Sequence, residues 1–145
     1  MGIWSFRDQN TGKYVRGAVT GEGRTDVVGA LSQKVANPKR SWKSFRLYSI
    51  PGVAGGRRLK NTIDGRWLET VNRTSTLVLP APVRKCSQNN KDMQWKVINV
   101  TGKRGVYKLQ NLRNNKYVYV TKNGLLKANA SSLKFATEFV WFKNQ

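Results

Sequence analysis

Acid–base or nucleophilic chemistry needs groups that exchange protons near neutrality, and this chain offers few. It contains no histidine, and its seven carboxylates (Asp8, Glu22, Asp26, Asp64, Glu69, Asp92 and Glu138) form no paired motif. Without imidazole there is no ordinary general base and no histidine-containing metal site. Arg84 and Lys85 beside the single thiol, Cys86, would favour a thiolate, but no histidine is there to activate it. No phosphate-binding loop occurs, and Gly21-Glu22-Gly23 and the stretch from Gly52 to Gly56 read as plain turns. These residues argue against an enzyme and call for neither cofactor nor metal.

What the chain carries instead is positive charge. Its 27 Lys and Arg against 7 Asp and Glu give a net charge of +20. Such a balance attracts polyanions. The cations come in clusters: Lys39, Arg40 and Lys43; Arg57 and Arg58; Arg84 and Lys85; Lys103 and Arg104; Arg113 and Lys116. Arginine clamps sulfate, phosphate or carboxylate through two parallel hydrogen bonds. Because the clusters recur along the chain, they favour a long or multivalent anion over one small ligand. An anionic or sulfated glycan, or another polyanion, is therefore the expected partner. Nucleic acid stands behind it: Trp42 beside Lys43 and Trp67 beside Arg66 offer stacking faces, but no helical or RRM reading motif occurs. A third reading is a proteinase inhibitor. Lys39-Arg40 or Arg84-Lys85, on loops stiffened by Pro38 or Pro82, would enter an acidic specificity pocket.

The single cysteine and the lack of a basic, then apolar, leader are the pattern expected of a reducing, cytoplasmic compartment. Nuclear entry and unconventional secretion stay open. The length, 145 residues, suits one domain with a core of its own.

The elements that must position these charges repeat three times. "NTGKYVRG", "TIDGRWLET" and "LRNNKYVYV" align on Tyr14, Trp67 and Tyr117, spaced 53 and 50 residues apart. A basic residue precedes each aromatic, and before it stands Thr11-Gly12, Asp64-Gly65 or Asn114-Asn115, residues that tolerate the positive φ of tight hairpins. Short alternating stretches precede the turns: Ile3 to Arg7, Arg58 to Lys60 and Val106 to Gln110. Others follow at Asp26 to Leu31, Thr76 to Leu79 and Gly124 to Lys127, and closing strands start at Phe45, Trp95 and Phe139. The pattern predicts an all-β chain of twelve strands in three four-stranded units, at about 1–51, 52–101 and 102–145. Each unit has one apolar face, and only the three together bury it and remove the sheet edges, which favours a monomer. The expected core is Phe45, Trp95, Phe139, Trp4, Phe6, Leu47, Leu59 and Leu109. Tyr14, Trp67 and Tyr117, at the start of each second strand, are the candidates for stacking on a sugar or a base, with Trp42.

The phrase "YKLQNLRNNKYVYV…NGLLKA…TEFVWF" resembles the repeat of ricin-B-like and fascin-like β-trefoils, and is similar to that of small fungal trefoil lectins and proteinase inhibitors. The resemblance spans all three units. It implies six strands closing a barrel, three hairpins capping one end, and a lectin-like, carbohydrate-binding role. In ricin-type units a sugar-binding acid stands two residues after the aromatic; here those positions hold Arg16, Glu69 and Tyr119. Glu69 alone could accept hydrogen bonds from sugar hydroxyls as that acid does. The family's Gln-x-Trp signature is broken as well, since Gln94 directly precedes Trp95.

Overall fold

A computed structural model of the chain describes residues 2–12, 14–15, 30–31, 44–62, 65, 67–70, 78–80, 90–122 and 126–144. Among them are twelve strands: β1 (Ile3–Asp8), β2 (Tyr14–Val15), β3 (Ala30–Leu31), β4 (Phe45–Ser49), β5 (Gly56–Asn61), β6 (Leu68–Thr70), β7 (Val78–Pro80), β8 (Trp95–Asn99), β9 (Val106–Asn111), β10 (Tyr117–Val120), β11 (Leu126–Ala130) and β12 (Phe139–Asn144). The only helical pieces among the described residues are single 3-10 turns at Lys91–Met93 and Leu133–Phe135.

Six strands close on themselves. β1 pairs with β4, β4 with β5, β5 with β8, β8 with β9, β9 with β12, and β12 returns to β1, every contact antiparallel. The remaining strands form the pairs β2–β3, β6–β7 and β10–β11. Alternation drives this closure. In β4 the side chains of Phe45 and Leu47 are buried while Arg46 between them is exposed, so one face of the strand enters the barrel and the other meets solvent.

The entrance to each hairpin pair is built alike. The amide of Gly12 donates to the Asp8 carbonyl (2.8 Å), Gly65 to Asn61 (3.1 Å) and Asn115 to Asn111 (2.9 Å). Gly12, Gly65 and Asn115 hold φ of 74°, 70° and 59°, the left-handed region that Gly and Asn tolerate best. The acceptors Asp8, Asn61 and Asn111 are themselves buried. Asp8 takes hydrogen bonds from the Asn10 amide and the Thr11 hydroxyl, and Asn111 takes one from the Arg113 amide. Burial is tolerable because these polar side chains replace water with turn donors.

Phe6, Phe45, Trp95 and Phe139 sit at the centre, with Leu59, Leu109, Leu47, Val15, Leu68 and Val118 around them. The rings of Phe6 and Phe45 stack at 5.4 Å, and Trp141 closes on Phe6 at 4.4 Å. The Trp95 indole donates to the Leu68 carbonyl at 3.1 Å, tying β6 to the barrel. The central void measures only about 10 Å³, so the interior is filled by side chains. Trp4, expected in the core, is half-buried and packs on Trp141 at the barrel mouth away from the hairpin ends.

Candidate functional site

The sequence-derived candidates fall into different settings. Lys39, Arg40, Trp42, Lys43, Arg84, Lys85 and Cys86 lie outside the described residues, as does Arg16. Lys103 and Arg104 are exposed in the β8–β9 turn, where the Lys103 ammonium meets the Glu138 carboxylate at 2.7 Å. Arg113 is half-buried and its Nε donates to Asp92 at 3.1 Å, whereas Lys116 is exposed. Tyr14 and Tyr117 are half-buried.

Trp67 and Glu69 are different. Trp67 is only 9% exposed, packed with Met93 and Tyr48, and the Lys60 ammonium lies 5.6 Å from its ring centre. Tyr48 meets it at 5.2 Å. Glu69 is 7% exposed within β6. Neither presents an open face to a ligand in this arrangement.

Register brings together cations that sequence order separates. The strands β4, β5, β8 and β9 lie side by side and contain Arg46, Arg57, Arg58, Lys60, Lys96 and Lys108, with no Asp or Glu among them. Each of Arg46, Arg58, Lys60, Lys96 and Lys108 adjoins a core residue on its own strand, so all five point outward. Arg46 stands directly opposite Lys60. Two like charges so placed work against the fold, at about 0.2–1 kcal/mol. The Arg58 Nε atom is buried with no hydrogen-bond partner among the described residues. Arg57 has the opposite parity: it turns to the barrel mouth and spans to its neighbour's carbonyl, Gly56 O, at 2.8 Å.

Sequence order suggested Arg57, Arg58 and the two turn cations, but not Arg46 or Lys96. The signal was present: a cation between two core residues, as in Phe45-Arg46-Leu47 and Trp95-Lys96-Val97, must lie on the outer face.

Two concavities among the described residues lie apart from the five outward cations. One, of about 340 Å³, lies at the barrel mouth between Trp4, Tyr107, Trp141, Leu47, Val97 and Arg57. The other, of about 370 Å³, lies against the 3-10 turn that carries Phe135, and is lined by Gln9, Asn10, Lys103, Thr137 and Glu138. Phe135 is 66% exposed, and no sequence pattern marked it. Among the described residues no three His, Cys, Asp or Glu gather to hold a metal ion, and no helix is long and apolar enough to cross a membrane.

Solved structures match this architecture along nearly the whole chain. "SeviL bound to asialo-GM1 saccharide" superposes with a TM-score of 0.70 at 16% identity, covering 99% of this chain and 98% of that one. A designed threefold-symmetric protein, ThreeFoil, gives 0.69 at 16% identity, covering 97% and 98%. The fold is a β-trefoil. A lectin from Polyporus squamosus, solved with the epitope Neu5Aca2-6Galb1-4GlcNAc, gives 0.74 at 12% identity, and the trefoil here covers 98% of itself and 49% of that chain. No family model and no curated protein matches the sequence.

Proposed function

We propose that this trefoil is a non-catalytic, lectin-like protein that holds anionic or sulfated polysaccharide along the outer wall of β4, β5, β8 and β9. One observation carries the reading: five outward cations on four adjacent strands, without an acid on any of them. Strands in a sheet lie about 4.8 Å apart, so the wall is a closely spaced array suited to repeated charges. Placing Arg46 opposite Lys60 works against stability. An anionic chain lying between them would turn that repulsion into attraction. The exposed Lys103, Arg104 and Lys116 extend the positive field beyond the wall, and the net charge of +20 steers polyanions toward it from a distance.

Saccharide-bound trefoils among the structural neighbours support a glycan as the polymer. Burial of Trp67 removes one of the two ring–cation pairs that nucleobase stacking would have used. The three-unit plan also belongs to this reading. The matching turns at Asp8, Asn61 and Asn111, spaced as the hairpin aromatics are, support three equivalent four-stranded units whose outer faces have diverged in charge.

The test is elution from immobilised heparin and from DNA resin over a salt gradient, using the native protein and the Arg46→Ala/Lys60→Ala/Lys96→Ala variant. The wall predicts heparin retention that falls steeply with salt and elution of the variant well ahead of the native protein. Coincident elution of the two would remove the wall from consideration. Stronger retention on DNA than on heparin would transfer the reading to nucleic acid.

A further inference from the structure

We propose that the concavity beside Phe135 is a second binding site, for a single neutral sugar unit, separate from the basic wall. Two independent features point to it. The Phe135 ring is 66% exposed on the 3-10 turn Leu133–Phe135, and with Leu133 it makes up the large apolar side chains exposed among the described residues. Beside it lies a space of about 370 Å³, within the range of small-molecule pockets.

The lining has the chemistry of hydroxyl recognition. Glu138 supplies a carboxylate that only accepts, and the Gln9 and Asn10 carboxamides both donate and accept. The negative face of an aromatic ring attracts the weakly positive C–H face of a sugar, which an exposed Phe135 provides. The Lys134 ammonium stands over one face of the ring, 5.0 Å from its centre, which leaves the other face to the sugar, and Lys103 balances Glu138 through their 2.7 Å contact. With Glu138 matched by Lys103 and Lys134 turned over the ring, the contacts left to a ligand are the uncharged Gln9 and Asn10 carboxamides and the ring itself, which suit a neutral unit.

The frame is held in place before any ligand arrives. The Gln9 amide donates to the Glu138 carbonyl at 3.0 Å, joining the two sides of the pocket. The Asn10 backbone amide donates a hydrogen bond to the Asp8 carboxylate, and the Thr137 hydroxyl accepts from the Val120 amide at 2.9 Å. The Lys108 ammonium donates to the Leu133 carbonyl at 2.7 Å and anchors the turn. Such preorganisation limits the entropy lost on binding.

The site shares Lys108 with the wall, as the anchor of its turn, but none of its lining residues belongs to the wall, and salt separates the two. Saturation-transfer NMR with galactose, N-acetylgalactosamine, N-acetylglucosamine, mannose and fucose, at a salt concentration that abolishes heparin retention, is the experiment. At least one sugar should give a signal in the native protein. Phe135→Ala and Glu138→Gln should each weaken its affinity by about tenfold or more, while Arg46→Ala leaves it unchanged. Phe135 is largely solvent-facing, so the variant should keep the native melting temperature. Silence from all five sugars, or a signal indifferent to both substitutions, overturns the proposal. So does Phe135-dependent flotation with phosphatidylserine vesicles in the absence of any sugar signal, which would make the exposed ring a membrane contact.

Discussion

Replacing Arg46 by glutamate should make the protein more stable and a poorer polyanion binder at once. Arg46 faces Lys60 across the β4–β5 ladder. A like-charged pair there is replaced by an opposite pair, each worth a few tenths to 1 kcal/mol, so the swing is about 0.5–1.5 kcal/mol. Unfolding entropy of about 2.1 cal/mol/K per residue amounts to roughly 0.3 kcal/mol/K for a chain of this size. The melting temperature should therefore rise by about 2–5 °C in low salt, and the gain should shrink as salt screens the pair. Binding moves the other way. Each cation that releases a counterion contributes about 0.7–0.9 to the slope of log affinity against log salt. Losing Arg46 and engaging Lys60 should lower that slope by about 1.5 for heparin, measured by titration calorimetry at several salt concentrations. Arg46→Gln should show both effects at about half size. A melting temperature that falls in low salt would refute the assigned register, and an unchanged slope would refute the wall.

Two further outcomes follow from the barrel itself. Gly55 holds φ of 73°, and a Cβ there would lie 2.9 Å from the Val97 carbonyl oxygen, whereas Gly52, at 76°, has open space around it. Both alanine variants should lose about 1–2 kcal/mol for the left-handed backbone, but Gly55→Ala should lose clearly more in urea denaturation. Phe6→Ala removes a wholly buried ring in contact with Phe45 and Trp141, and should cost about 3–5 kcal/mol by the same measurement.

Most of the architecture was legible because it is written in short-range signals. Turn chemistry located Gly12, Gly65 and Asn115, and alternation located the strands that begin at Phe45, Trp95 and Phe139. Strand ends were less legible. The third strand expected over Asp26 to Leu31 is described only at Ala30–Leu31, and the one expected over Gly124 to Lys127 runs on to Ala130. The residues before these segments lie outside the described ones.

The site was harder to read because it depends on which residues meet across strands. Arg46 and Lys60 are fourteen positions apart in sequence, and only the β4–β5 register sets them face to face. Trp67 occupies the same place in its hairpin as Tyr14 and Tyr117, but Met93 and Tyr48 close around it. Those neighbours come from other parts of the chain, so an aligned repeat cannot announce them. Phe135 stands in a turn outside any alternating stretch, where hydrophobic spacing carries no information about exposure.

The seam between β1 and β12 has a consequence for biosynthesis. Residues 3–8 pair along their whole length with residues 139–144. The first barrel strand to leave the ribosome therefore waits for the last, with an unsatisfied edge exposed throughout elongation. Joining segments so distant in sequence is slow, and the nascent cylinder can seal only after residue 144 has emerged.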